Sequence, residues 1–162
     1  MKEHFETFAR YNVWANHRLY ETIAPLPDAQ YREDRGAFFG SLHGTLNHIL
    51  VGDRAWLCRI TGAGTQPASL DQILYDDFAS LRQARVAEDE QIIRIVEGLD
   101  AERLAGTIAY HSMTGGSFKQ PLAQVLAHLF NHQTHHRGQA HTLLSQLGRE
   151  APPLDLAYFL RG

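Results

Sequence analysis

The chain has 162 residues, 44% of them hydrophobic and 20% charged, with a formal net charge of −3. That length fits one domain, residues 1–162, able to bury a core without disulfides or a structural metal, and the composition is far from that of a disordered segment. The absence of any run of Lys or Arg argues against nucleic-acid partners, and no stretch has the length of a secretion-signal core or a membrane span, so a cytoplasmic location is expected.

From about Glu3 to Ala24, Phe5, Phe8, Leu19 and Ile23 recur with a period near 3.6, which predicts a first helix ended by Pro25-Leu26-Pro27. Asn12 and Asn16 share its apolar face, where a buried amide needs partners; they either orient a ligand or are satisfied by neighbouring groups. A second helix starts with Ser41 as N-cap and runs to Thr61, where Gly62-Ala63-Gly64 stops it. Leu42, Leu46, Ile49, Trp56 and Ile60 form its apolar face, which also carries Asp53, while His43 falls on the outer face. Cys58, the single cysteine, reads as a buried and unreactive thiol.

The third predicted helix runs from about Ser69 or Asp71 to Glu97 through Ile73, Leu74, Phe78, Leu81, Ile92 and Val96, with no chemistry visible on it. Between Gly106 and Lys119, the alternation from Thr107 to Tyr110 and the pair Gly115-Gly116 predict a short hairpin or ordered loop that covers a site. Pro121 suits the first turn of a long helix continuing to Leu147, with Gly148 as its cap, and a tail from Leu154 to Leu160 follows Pro152-Pro153. The expected fold is all-α: a four-helix bundle with a short hairpin or loop insert before the last long helix, whose interior is where metal sites are built.

Ten histidines is the unusual count, and five of them lie between His128 and His141. On a helix, His132 and His136 leave the same face with Cβ atoms about 6 Å apart, so that one ion can bridge them. At about 100° per residue, Leu122, Val125, Leu129, Ala140, Leu143 and Leu147 form the apolar stripe, and His132 and His136 sit on its margin. His128 lies further round, His135 further still, and His141 faces solvent; His128 reads better as a satisfied edge histidine than as a fourth ligand. Two imidazoles make a poor cage, so a third ligand must come from another helix. His48 is the best candidate, because Thr45, Gly52 and Ala55 beside it leave room for an ion and something bound to it. Three neutral ligands with an open position is a catalytic pattern. Spacing by itself leaves this open against a pair of ordinary helix histidines.

The segment His128-Leu129-Phe130-Asn131-His132-Gln133-Thr134-His135-His136-Arg137-Gly138-Gln139 resembles the hallmark of the DinB family, the DinB/YfiT-like metalloenzymes. Tyr11 to Asn16, Leu46-Asn47-His48-Ile49-Leu50 through Trp56, and Pro153-Leu154-Asp155-Leu156 extend the resemblance over almost the whole chain. It implies a four-helix bundle with a three-histidine site, one ligand from the second helix and two from the last, at His48, His132 and His136.

Around the site, Asp53, Gln139 and Asn131 are candidates to accept the second N–H of a metal-bound ring, although Asp53 reads somewhat better as the partner of an arginine such as Arg137. Trp14, Trp56 and Tyr110 read as core or pocket walls, and Arg137 and Lys119 either as cations that meet an acidic substrate or as ordinary exposed charges. No nucleophile constellation or phosphate loop is present, so the ion has to supply the chemistry. Three functions follow: a transferase acting with a low-molecular-weight thiol, as relatives use mycothiol or bacillithiol; a metal-dependent hydrolase; or a non-enzymatic stress protein that binds metal or a small molecule. The cofactor is one divalent ion, Zn, Ni or Fe, the partner a small-molecule substrate, and a homodimer is expected.

Overall fold

The computed structural model describes residues 1–113 and 115–162. Four long helices, α1 (Lys2–Ile23), α3 (Leu42–Thr61), α4 (Phe78–Gly98) and α6 (Leu122–Gln146), build the bundle, with short helices α2 (Asp28–Tyr31), α5 (Ala101–Ala105) and α7 (Leu156–Arg161). Strands β1 (Thr107–His111) and β2 (Ser117–Pro121) pair antiparallel as the insert before α6, with Tyr110 opposite Phe118. Helix α1 packs on α4 and α6, and α3 packs on the same two, so the helices follow each other around the bundle as α1, α4, α3, α6.

The ends of α3 obey local chemistry. Ser41 Oγ accepts the Gly44 N–H at 3.1 Å, and Gly62 closes the helix at φ 71°, a conformation that favours glycine. At Gly44 a Cβ would lie 2.1 Å from the Phe39 carbonyl oxygen, so the loop before α3 can lie flat on the helix only because that position has no side chain.

The predicted start of the third helix at Ser69 or Asp71 is corrected: α4 begins at Phe78, capped by Asp77, whose side chain accepts the Ser80 N–H at 2.8 Å. The apolar spacing of Ile73, Leu74 and Phe78 imitates a helical stripe, but the backbone N–H groups of Leu74 and Tyr75 are taken by Asn47 Oδ1 at 2.9 and 3.0 Å. A buried side-chain acceptor thus replaces the helical ladder and ties the loop to α3. His43 is also corrected. It is 8% exposed, because α2 folds over it, placing the Tyr31 ring edge-on at 5.2 Å.

Two apolar clusters fill the bundle. One gathers Phe5, Ala9, Leu57, Ile60, Ile92, Val96, Leu126 and Phe130; the other gathers Leu19, Ile23, Leu46, Leu50, Leu81, Leu143 and Leu144. Between them every long helix contributes buried polar groups: Asn12 and Asn16 from α1, Asp53 from α3, Arg85 and Asp89 from α4, Gln133 and Arg137 from α6. Arg85 pairs with Asp53 and, at 2.9 Å, with Asp89; Asn12 and Asn16 donate to Asp89 at 3.1 and 3.0 Å. Gln133 donates to Asp53 at 2.8 Å, and Arg137 donates to Gln133 Oε1 at 3.0 Å and to Asn12 Oδ1. Two carboxylates and two guanidiniums balance in this layer. A sliding helix would leave one of them unpaired, so the layer sets the register of all four helices.

Candidate metal centre

The polar layer fixes the level of α3 against α6, and at that level three imidazoles meet. His48 Nε2 lies 3.1 Å from His132 Nε2 and 3.1 Å from His136 Nε2. These three residues form a group whose ligand atoms all lie within 4.8 Å of one another, the only such group among the described residues. Nitrogens sharing one ion at about 2.0–2.1 Å are separated by roughly 3.0–3.4 Å, so the spacing fits a single ion.

The outer nitrogens decide what the inner ones can do. His48 Nδ1 is 2.7 Å from the Leu70 carbonyl oxygen, which only accepts, so the proton is on Nδ1 and Nε2 offers a lone pair. Gln139 Oε1 accepts from His136 Nδ1 at 2.8 Å while its amide nitrogen donates to His135 Nε2 at 3.2 Å, leaving His136 Nε2 unprotonated as well. Two lone pairs therefore face each other across the His48–His136 contact, an arrangement that calls for a cation between them. His132 Nδ1 is buried with no hydrogen-bond partner among the described residues.

Packing holds these rings in place. Phe39 stacks on His48 with ring centroids 3.7 Å apart, and Gly52 brings the α3 backbone so close to His132 that a Cβ there would lie 2.6 Å from its Cε1. Burial lowers the pKa of His48 to about 4, with a smaller lowering by His136 opposed by the Leu70 hydrogen bond. Burial, reinforced by the neighbouring imidazoles, lowers His132 to about 3, and burial lowers His136 too. All three are neutral at physiological pH, which is the ligating form. A cavity of about 450 Å³ opens on the triad, walled by Phe39, Trp56, Arg59, Leu70, Met113 and His128 among others.

Some of the other candidate residues fall where the sequence suggests and others do not. Asn12, Asn16 and Asp53 belong to the polar layer and turn to Asp89, Arg137 and Arg85 rather than to the imidazoles. Asp53 is partnered by Arg85 and not Arg137, because α4, which showed no chemistry in sequence, supplies the buried cation. Arg137 is 2% exposed and bound within that layer, so it does not meet a substrate as a surface cation. Gln139 does carry His136, whereas Asn131 is exposed. His128 stands on the pocket wall, its ring edge-on to Trp56 at 5.0 Å and 5.8 Å from His132, outside the triad. His141 is half-buried beside the C-terminal tail rather than solvated. Cys58 is half-buried with its pKa pushed up by burial, in keeping with an inert thiol.

Leu70, Phe39 and Arg59 went unseen in the sequence. A backbone carbonyl leaves no side-chain signature, and Phe39 sits in an irregular loop. Arg59 had a signal: at 100° per residue it lies within about 20° of His48 on the same helix face.

A helical bundle with a three-histidine pocket between its second and last long helices is thus the class of protein that fold and site define. The model of the DinB family matches residues 1–162, and the chain belongs to that family. It is 26% identical over 157 residues to Protein DinB of Bacillus subtilis (strain 168), covering 93% of this chain and 90% of that protein. The crystal structure of a DinB-like protein from Bacillus cereus ATCC 10987 superposes with a TM-score of 0.69 at 16% identity, covering 90% of this chain and 94% of the other, a likeness of fold.

Proposed function

We propose that this protein is a metal-dependent enzyme in which His48, His132 and His136 hold one divalent ion, Zn, Ni or Fe, and a small thiol acts on an electrophilic substrate. The observation that carries this reading is the convergence of three neutral imidazoles with no fourth ligand from the chain among the described residues. Such an ion keeps a position for an exogenous ligand and acts as a Lewis acid that favours the deprotonated form of a bound thiol. The remaining work falls to the chain. Leu70 and Gln139 keep the inner nitrogens of His48 and His136 free of protons. Phe39, Trp56 and Met113 give the cavity an apolar wall, and His128 is an imidazole on that wall able to accept the thiol proton. In the transfer the sulfur forms a bond to the electrophilic carbon, whose leaving group departs with its electron pair. The thiol itself is suggested by the family resemblance.

The test is thiol-dependent consumption of a chromogenic electrophile by ion-loaded protein, expected to vanish in His132→Ala. Activity unchanged in that variant refutes the reading. Turnover of esters or amides without thiol would make the protein a hydrolase instead, and retained ion with no turnover across a broad panel would make it a binding protein. The small-molecule substrate, the cytoplasmic setting and a homodimer belong to the same proposal; light scattering on the purified protein decides the last. No helix among the described residues is long and apolar enough to cross a membrane.

A further inference from the structure

The wall of the metal pocket carries a strong charge, Arg59, that no carboxylate neutralises among the described residues. Arg59 lines the cavity with its guanidinium 4.4 Å from the centre of the Trp56 ring and 5.0 Å from that of Tyr110, a clamp that holds the planar group in one orientation. Among the described residues Arg59 makes no ion pair and its buried Nε has no hydrogen-bond partner. Neighbouring Arg54, on the same helix, shows the usual alternative, with Glu88 at 3.1 Å and the Tyr75 hydroxyl at 3.1 Å. Burial pulls the Arg59 pKa down from its ordinary value, as expected of a cation without a carboxylate beside it. Among the described residues no Asp or Glu lines this cavity. With an ion on three neutral imidazoles the pocket would hold positive charge at both ends, and among the described residues it has no anion of its own.

The geometry points to a small carboxylate-bearing ligand whose anionic end is received by Arg59 and whose reacting end reaches the three-histidine centre. Gly52, against the His132 ring, and Arg59 are separated by about 10 Å along the axis of α3, at ~1.5 Å per residue. A ligand with its carboxylate several bonds from its reactive atom spans that gap. Its apolar body lies along the Trp56 ring and Met113. A guanidinium held flat by two rings presents its N–H fork for bidentate pairing with a carboxylate, at little further cost in side-chain ordering.

This inference rests on reading the cavity as the substrate site of a metal enzyme, and two probe pairs separate its failure from that of the thiol reading. Mercaptohexanoate and mercaptohexanol carry a thiol for the ion and differ at the far end; heptanoate and heptanol differ in the same way without a thiol. In calorimetric titrations of ion-loaded wild-type protein each carboxylate is expected to bind roughly tenfold tighter than its alcohol or better. In Arg59→Gln that preference disappears while ion uptake and helical circular dichroism are retained, and Arg59→Lys, which keeps a cation at the site, recovers part of it. Thiols that bind no tighter than their thiol-free counterparts count against the thiol chemistry; an Arg59-dependent preference for heptanoate would still uphold the anion site. A carboxylate preference absent from the wild type, or intact in Arg59→Gln, overturns it.

Discussion

Replacing Gly52 by alanine separates the stability of the bundle from the integrity of the centre. The added Cβ would lie 2.6 Å from His132 Cε1 and 3.1 Å from its Nδ1. Ordinary carbon contacts begin near ~3.5 Å, so the ring must retreat by close to an ångström. Metal–nitrogen bonds tolerate about 0.2 Å, several times less. Without an ion the imidazole swings aside at little cost, and the helix gains from losing a glycine, by roughly 0.8–1 kcal/mol. With an ion the ring is held at the position the new methyl group invades. Disturbing the support of a metal ligand costs 10–100-fold in affinity, and displacing the ligand itself is expected to cost about 100-fold or more. Gly52→Ala should therefore melt at the same or a higher temperature than wild type in the presence of chelator, yet lose most of the stabilisation that added ion provides. Gly138→Ala on α6 is the control, since a Cβ there meets nothing within 4 Å; it should gain helix stability and keep its ion. Competition with a chromophoric chelator gives the affinities and circular dichroism the melting curves. Undiminished ion affinity in Gly52→Ala would refute the view that His132 is held on the ion by this close packing.

Removing the amide that carries His136, in Gln139→Ala, should lower ion affinity by roughly 10–100-fold with little change in the chelated protein's melting temperature, as read by the same competition assay. Asp53→Ala strips the buried Arg85 of a partner and should cost roughly 3–5 kcal/mol in urea unfolding monitored by circular dichroism; a loss below 1 kcal/mol would contradict the role given to the polar layer. Ordinary imidazoles at pH 6.5 would release ~1.5 protons on binding an ion at three rings, but here His48 and His132 titrate at about 4 and about 3 and His136 is lowered too. Calorimetry in buffers of different ionisation enthalpy should thus find proton release near zero at that pH. By the same shifts the unfolded chain binds more protons than the ion-free fold between about 4 and the ordinary value of 6.5. Asp53, whose pKa burial raises to about 6, opposes this. Three lowered imidazoles outweigh one raised carboxyl, so the stability of the ion-free protein should rise with pH through that window and fall as the pH drops through it. A flat melting temperature in an Asp53→Asn background would show the rings to be solvated.

By itself the sequence determined whatever depends on a chain's own periodicity. The apolar spacing in α1, α3 and α6, the Ser41 cap, the Gly62 stop and the hairpin before α6 are local features, and they were legible for that reason. The same periodicity put His132 and His136 on one margin of α6, and the small residues around His48 on α3 marked the other side of the pocket. Only tertiary structure decided what meets these faces. A helical wheel says that Asp53 is buried but not that Arg85 arrives from α4, and the stripe of Ile73, Leu74 and Phe78 cannot disclose that Asn47 takes the backbone N–H groups between them. The carbonyl of Leu70, which sets the protonation of His48, belongs to a backbone that every residue shares. Burial is written into the order of side chains along a helix; the partner that satisfies a buried group is chosen by another element, and no local pattern records it.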